Sequence, residues 1–213
     1  MSKNYRNSRS HKLKITWIPI WYDRKTAGHI GMTFCPGKVQ PWSMTGGWHR
    51  DLDLDIRELK KANVGHVISL VTKDEMEELR VKHLGKKLQS NRIEWYHAPT
   101  PDEEVPDRLW FIRSLSIIKQ LMPNFYRGKR VVVHCKGGIS RAGIFACIVV
   151  WLLSGFDMLK AISMVREMRD HRGINHNQEQ FLLDFEANWQ TWIQNDTIAD
   201  KWLEKMAVSY THL

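Results

Sequence analysis

A thiol and a guanidinium lie close together in residues 131–143, VVVHCKGGISRAG. Cys135 is followed after one residue by two glycines, and Arg141 comes six residues after the cysteine. Gly137 and Gly138 can adopt backbone angles that are closed to other residues, so successive N–H groups of this turn can point at one oxyanion. A helix beginning near Arg141 adds its partially positive end to the same place. This arrangement is typical of a backbone cradle for an anion such as phosphate.

The sulfur of Cys135 lies at the mouth of this predicted cradle. Donors that bind an oxyanion also stabilise a thiolate, so we expect Cys135 to be ionised near neutral pH. Arg141 is suited to two non-bridging phosphate oxygens because its planar fork binds them as a pair, and Lys136 adds positive charge at the rim. These residues favour attack of sulfur on phosphorus, which forms a phosphocysteine intermediate. Cys147, within the apolar run FACIVVW, is predicted to be a structural cysteine.

Cleavage of a phosphate monoester also requires a proton for the leaving oxygen, and an acidic loop could supply it. Residues 99–107, PTPDEEVPD, follow a predicted strand at the same edge of the sheet as Cys135. Asp102 comes directly after two stiffening prolines and is the first candidate. Composition alone leaves a solvated acidic loop as an alternative, and it leaves three rival carboxylates: Glu103, Glu104 and Asp107.

The elements that must position these residues alternate between strand and helix. Apolar and β-branched runs predict strands over residues 29–37, 66–71, 92–99 and 130–135. Apolar spacing and stop signals predict helices over residues 51–65, 73–88, from 106, 141–155, 157–173 and 178–206. Such alternation predicts a single α/β domain with a central, mostly parallel sheet of four to five strands flanked by helices. Ligands of these folds lie beyond the carboxyl ends of the strands, where Cys135 is placed.

Length and charge define the predicted domain and its ends. The chain has 213 residues and a net charge of +9, and we assign residues 15–206 to one domain. Residues 1–14 contain five basic residues and no acid, so they carry five of the nine net charges. We expect them to form a basic, flexible tail with a weak attraction to acidic partners, and residues 207–213 to form a second tail.

Cysteine usage and hydropathy favour the cytoplasm. The three cysteines are widely spaced, without a CxxC pair, which argues against a disulfide scaffold and a zinc site. We expect neither a metal nor another cofactor. No apolar run approaches the ~20 residues of a membrane span, so no transmembrane segment is expected. The polar start of the chain does not look like a secretory signal.

Residues 131–143 resemble the His-Cys-x5-Arg signature of the cysteine-dependent protein tyrosine and dual-specificity phosphatases. The resemblance is greatest to the cyclin-dependent-kinase-associated phosphatase group and extends over roughly residues 28–186. Besides the signature it includes IGMTFCPGK, HAPTPDEEVPD and DMLKAISMVREMRDHRGI. It implies a protein tyrosine phosphatase-like fold and metal-independent hydrolysis of phosphorylated proteins.

The resemblance also implies a role for each residue of the site. The nucleophile falls on Cys135, the phosphate clamp on Arg141, and the acid, after the strand and its proline, on Asp102. His134 matches the signature histidine, which helps to ionise the thiol. Gln178 or Asn177 matches a position that places water, although an exposed position on an amphipathic helix is the alternative for both. The phosphate-binding turn falls on Lys136, Gly137, Gly138, Ile139 and Ser140.

One position departs from the pattern of this family. Its members usually have Ser or Thr directly after the signature arginine, where the hydroxyl eases departure of the thiolate. This chain has Ala142 there. We therefore predict that the phosphocysteine breaks down more slowly than it forms. Ser140 precedes the arginine and is not an obvious substitute.

Three functions fit these observations. The leading prediction is a protein phosphatase that acts on phosphotyrosine, phosphoserine or phosphothreonine, so that its partner is a phosphorylated protein. A second is a phosphatase for phosphoinositides or RNA 5′ ends, prompted by Lys136 and the basic tail, although Ile139 stands where lipid-directed relatives carry a second lysine. A third, motivated by Ala142, is a phosphoprotein-binding module with weak turnover.

Overall fold

The computed structural model describes residues 5–22, 25–43, 46–102, 105–171 and 173–193, and its centre is a five-stranded sheet. The strands are β1 (Thr16–Tyr22), β2 (Lys25–Phe34), β3 (Val39–Gln40), β4 (Trp48–His49), β5 (Val64–Ser69), β6 (Glu94–His97) and β7 (Arg130–Cys135). Those of the central sheet run in the order β1-β2-β7-β5-β6, and the last four of these are parallel. A short antiparallel pair, β3 and β4, lies outside this sheet.

Helices cover both faces of the sheet. Strand alternation explains the two cores, because Val131 and Val133 of β7 belong to one hydrophobic cluster and Val132 belongs to the other. The helices are α1 (Leu52–Lys61), α2 (Lys73–Glu78), α3 (Leu84–Ser90), α4 (Arg108–Tyr126), α5 (Ser140–Ser154), α6 (Met158–Met168) and α7 (His176–Ile193). The first cluster packs under α4 to α7 and the second under α1 to α3.

These elements confirm the predicted single-domain α/β class and the five-stranded, mostly parallel sheet. The strand predicted over residues 130–135 is β7, and the buried helix predicted over 141–155 is α5, shifted by one residue. Twelve of the fifteen residues of α5 are buried. The helix that carries Arg141 is therefore held from all sides.

Several predicted boundaries are wrong, including that of the helix predicted over residues 157–173, which ends at Met168. Local backbone geometry explains two of the others. The helix predicted over residues 73–88 is divided into α2 and α3, because Arg80 between them adopts a φ of +59°. The helix predicted to stop at Gly65 ends earlier, at Ala62, where Asn63 takes the left-handed conformation with a φ of +55°. Gly65 instead belongs to β5.

The described residues before β1, from residue 5 onward, pack against the rest of the domain. The backbone N–H of Arg6 donates to the carbonyl of Gly47 (3.0 Å), and the Arg6 carbonyl accepts from the N–H of His49 (2.9 Å). Leu13 is buried in the cluster that packs under α1 to α3. The prediction of a flexible tail over residues 1–14 is therefore wrong from residue 5 onward, and residues 1–4 lie outside the described residues. The predicted end of the domain at residue 206 and the predicted tail over residues 207–213 also lie outside the described residues.

A buried ion pair connects this first segment to α1. Arg50 binds the carboxylate of Asp55 through Nε (2.8 Å) and Nη2 (2.7 Å), and both side chains are fully buried. The remaining arm of Arg50, Nη1, donates to the carbonyl of His11 at 2.8 Å. Asp55 also accepts from the N–H of Gly37 at 2.8 Å. The pair is thus fully hydrogen-bonded, which a buried pair requires.

None of the helices in the described part of the chain is both long and apolar enough to cross a membrane.

Candidate active site

Cys135 is the last residue of β7, at the carboxyl edge of the parallel strands. Phe34 of β2 pairs beside Cys135, and Ser69 of β5 pairs beside His134. The chain then turns over residues 136–139 and enters α5. The strand–turn–helix arrangement predicted around the cysteine is therefore present. It places the sulfur next to the N-terminus of a buried helix.

The turn after Cys135 directs an amide at the sulfur. The N–H of Gly138 donates to Cys135 Sγ at 3.1 Å, and Cys135 is only 3% exposed. Gly138 has a φ of +68°, and a Cβ at this position would lie 2.2 Å from the backbone of Thr33. Both conformation and space therefore require glycine here. Gly137 is exposed and has no positive φ, so only one of the two glycines uses the freedom predicted for both.

Arg141 lies in the first turn of α5 and is held by a buried network. Its Nη1 and Nη2 donate to the two carboxylate oxygens of Glu75 at 2.7 and 2.8 Å, and Nη1 also donates to the carbonyl of Thr100 at 2.7 Å. Glu75 is itself fixed, because it forms a capping box with Thr72 at the start of α2. Burial opposes ionisation of Glu75, but hydrogen bonds from Arg141 and the Thr72 backbone outweigh it, so the pKa of Glu75 lies below its ordinary value.

The side edge of the Arg141 guanidinium faces the predicted acid. Burial lowers the pKa of Arg141, but its contacts with Glu75 and its attraction to Cys135 and Asp102 raise it above the ordinary value. Nε has no hydrogen-bond partner among the described residues although it is buried. The adjacent Nη2 is 2.9 Å from Oδ1 of Asp102, whose side chain is 50% exposed. The edge formed by Nη1 and Nη2 thus binds Glu75. On the other edge, Nε–H is without a partner among the described residues and Nη2 contacts the carboxylate of Asp102.

Asp102 and its rival Asp107 occupy different places. Asp107 caps α4, since its carboxylate accepts from the N–H of Trp110 at 2.7 Å. Asp102 is the loop carboxylate that contacts Arg141. The other two rivals, Glu103 and Glu104, lie outside the described residues.

His134 lies behind the turn. Trp95 Nε1 donates to Ser69 Oγ (2.8 Å), Ser69 Oγ lies 2.6 Å from His134 Nε2, and His134 Nδ1 lies 3.4 Å from the carbonyl of Cys135. Burial lowers the pKa of His134 to about 4, while its hydrogen bond to the Cys135 backbone acts in the opposite direction. The imidazole is therefore neutral at pH 7. With the Ser69 hydroxyl donating to Nε2, Nδ1–H donates to the backbone carbonyl of Cys135, so His134 contacts Cys135 through the backbone.

Lys136 and Ile139 occupy the two ends of the turn. The ammonium of Lys136 lies 3.2 and 3.3 Å from the carboxylate oxygens of Glu78, which is exposed. Ile139 precedes α5, and its carbonyl accepts the first helical hydrogen bond, from the N–H of Gly143 at 2.8 Å.

Gln178 contacts the start of α5 through a side-chain hydrogen bond. Its Nε2 donates to Ser140 Oγ at 2.6 Å, and its Oε1 accepts from the backbone N–H of Asn175 at 3.2 Å. Gln178 is fully buried, whereas Asn177 is exposed. Of the two residues considered for placing water, Gln178 is the one brought to the site.

Comparison with known protein families identifies the chain. Residues 51–188 match the family described as dual specificity phosphatase, catalytic domain, which is well over half of the chain. The chain belongs to the dual specificity phosphatase family. It is a cysteine-dependent protein phosphatase, which confirms the family and the activity that the sequence resemblance implies.

Individual relatives of this phosphatase agree with the assignment. It is 25% identical over 177 residues to cyclin-dependent kinase inhibitor 3 of Mus musculus, covering 81% of this chain and 78% of the relative. It is 24% identical over 156 residues to dual specificity protein phosphatase 26 of Mus musculus, covering 70% and 66%. A solved structure of kinase associated phosphatase, in which the catalytic-site cysteine is replaced by serine, superposes with a TM-score of 0.71. That structure has 20% identity and covers 85% of this phosphatase and 96% of its own chain.

Some residues that position the site of the phosphatase were not found from the sequence. Thr72 and Glu75 have the spacing of a capping box, which is a readable local signal, but the partner of Glu75 lies 66 residues away. Ser69 gives no local signal, because its contact with His134 depends on strand pairing.

The remaining cysteines of the phosphatase are unpaired and buried, as is Cys135. Burial raises the pKa of the Cys147 thiol, with Arg166 acting weakly against it, as a structural cysteine requires. In the ranges that the structure describes, no three His, Cys, Asp or Glu side chains are grouped to hold a metal ion.

Proposed function

We propose that this phosphatase hydrolyses phosphorylated tyrosine, serine or threonine side chains of proteins through a phosphocysteine on Cys135. The hydrogen bond from Gly138 N–H to Cys135 Sγ carries the proposal, because a donor directed at sulfur stabilises a thiolate and an equatorial phosphoryl oxygen alike. Arg141 supports it with a buried guanidinium whose Nε–H has no partner among the described residues. A planar edge of this kind binds two phosphoryl oxygens.

In the first step the thiolate of Cys135 attacks phosphorus, the S–P bond forms and the P–O bond to the substrate breaks. Asp102, in its protonated form, gives its proton to the leaving oxygen. The phosphoryl dianion competes with Asp102 for Nη2 of Arg141, where the two groups now lie 2.9 Å apart. Substrate binding therefore displaces the carboxylate from the guanidinium and leaves it beside the leaving group.

In the second step water attacks phosphorus and the S–P bond breaks. The Asp102 carboxylate takes a proton from the water, so that the thiolate and inorganic phosphate are regenerated. We assign Gln178 to the placement of this water through Ser140, whose hydroxyl oxygen accepts from Gln178 Nε2. Ala142 offers no hydroxyl to the departing sulfur, which supports the predicted slow breakdown of the phosphocysteine.

Turnover by wild type, Cys135→Ser and Cys147→Ala tests the proposal. Phosphopeptides, a phosphoinositide and a 5′-phosphorylated RNA are offered at the same moderate salt concentration. We expect wild type and Cys147→Ala to release phosphate fastest from phosphopeptides, and Cys135→Ser to bind the same peptides without turnover. Faster release from lipid or RNA would overturn the protein substrate class, and normal turnover by Cys135→Ser would overturn the nucleophile.

We also place the enzyme in the reducing cytoplasm, supported by its three free cysteines.

A further inference from the structure

Lys38 is a buried cation directly behind the phosphate-binding turn. It follows β2, is 4% exposed, and its Nζ donates to the carbonyl of Lys136 and to Gln40 Oε1, both at 3.1 Å. Nζ also lies 5.5 Å from the ring centre of Phe34 and 5.4 Å from that of Trp48. Within the described residues no carboxylate lies within ion-pair distance of this ammonium. A buried charge requires compensation, which here comes from a carbonyl and two aromatic rings.

A second cation binds another carbonyl of the same turn. Arg169, at the end of α6, donates from Nε to the carbonyl of Gly138 at 2.8 Å and from Nη1 to Thr16 Oγ1 at 3.0 Å. The same Gly138 directs its N–H at the sulfur of Cys135. Gly138 therefore directs its N–H at the sulfur while its carbonyl, which belongs to the next peptide group, accepts from Arg169. Lys136 carries the other carbonyl held in this way.

We propose that Lys38 and Arg169 are positioning residues, which bind two carbonyls on the outer side of the turn so that its amides face the phosphoryl group, and whose charges stabilise the thiolate of Cys135. This inference rests on the proposed role of Cys135 as nucleophile. Neither residue touches the substrate.

The charges around Lys38 agree with a thiolate as the anion that it compensates. Burial lowers the pKa of Lys38 to about 8; negative charge on the sulfur of Cys35 or Cys135 opposes this, and repulsion by Arg50 and Lys136 adds to it. Burial raises the pKa of the Cys35 thiol, which therefore stays neutral. The nearby Arg50 is already bound by the Asp55 carboxylate. Since Lys38 is charged below pH 8, its stabilisation of the thiolate is present at pH 6 and is lost as the pH rises through about 8.

The pH dependence of alkylation of Cys135 tests the positioning role. Iodoacetamide labelling is followed at the Cys135 peptide by mass spectrometry in wild type, Lys38→Met and Lys38→Arg. In Lys38→Met we expect the midpoint of the profile to move up by about one pH unit, since an opposite charge at short range has an effect of this size. Well below both midpoints the labelling rate and kcat/KM then fall about tenfold, because one unit there corresponds to a factor of ten in the ionised fraction. Lys38→Arg keeps the charge and restores both.

A matched charge removal is Lys87→Met, because Lys87 is an exposed lysine paired with Asp53. We expect its alkylation profile to coincide with that of wild type. Arg169→Met should shift the midpoint in the same direction as Lys38→Met. An unmoved midpoint in a Lys38→Met protein with a cooperative thermal transition would overturn the inference, as would an equal shift in Lys87→Met. Labelling does not require turnover, so a wild type without phosphatase activity would refute the proposed function and leave this test standing.

Discussion

Replacing Asp102 by Asn should move phosphate binding and turnover in opposite directions. In the unliganded site the carboxylate of Asp102 lies 2.9 Å from Nη2 of Arg141, on the edge that we assign to the phosphoryl group. Asn has the same shape but no charge. It competes less strongly for the guanidinium, and it has no proton to give to the leaving oxygen.

The size of both effects follows from the position of the carboxylate. Asp102 is half exposed, so solvent screens the ion pair, although its partner Arg141 is buried. Because this ion pair is neither fully exposed nor fully buried, we expect it to be worth about 1 kcal/mol. Its loss should tighten the binding of inorganic phosphate about fivefold. Loss of a general acid should lower kcat by a factor on the order of 100 or more for phosphotyrosine. For an aryl phosphate with a very acidic phenol the fall should be much smaller, because that leaving group departs without a proton.

The assay compares Asp102→Asn with Asp107→Asn. The second variant makes the same chemical change in the same loop, and Asn caps a helix as well as Asp does, so its rates should match those of wild type. Phosphate affinity is measured as a competitive inhibition constant, and kcat is measured on both substrates. Equal losses of kcat on the two substrates would refute the role of Asp102 as acid. Weaker phosphate binding would refute its competition for Arg141.

Three further outcomes are expected. Glu75→Gln removes a charge from the buried pair with Arg141. It should lower the unfolding free energy, measured by urea unfolding, by roughly 2 kcal/mol, and it should lower kcat/KM, measured from initial rates, at least about tenfold. An unchanged kcat/KM would contradict the positioning of Arg141. Ala142→Ser should speed hydrolysis of the phosphocysteine in rapid-quench kinetics, and an unchanged hydrolysis rate would remove the claim. The imidazole of His134 should titrate near pH 4 by NMR. Since it is neutral when folded but protonates near pH 6.5 when unfolded, stability is lost as the pH falls from about 6.5 to about 4, and an observed pKa near 6.5 would contradict its burial.

The central strand and its turn could be predicted because their signals are local. Residues 130–135 carry an apolar, β-branched run that is buried on both faces, and they form β7 within the predicted bounds. The glycine at position 138 and the arginine at 141 belong to the same contiguous stretch as the cysteine. Chain connectivity alone therefore brings the proposed nucleophile, an amide donor and the start of α5 together.

The edge strand β1 was not predicted, because its sequence TWIPIWY contains a proline and no regular alternation. Pro19 cannot donate a hydrogen bond, and an edge position tolerates this. The supports of the site were missed for a different reason. Glu75 and Lys38 act on residues 66 and 98 positions away, so their partners depend on how the sheet assembles and not on local spacing.

The junction at Arg50 has a consequence for where this chain can be shortened. A protein beginning at residue 15, the start of the domain as charge alone defines it, would lack the His11 carbonyl that accepts from Arg50 Nη1. It would expose the guanidinium of Arg50, which now has no contact with solvent. This guanidinium lies beside the ring of Phe34, which Lys38 also faces. Removing this basic segment would therefore loosen the packing around Lys38, behind the phosphate-binding turn, although residues 5–14 supply none of the groups that we assign to phosphate.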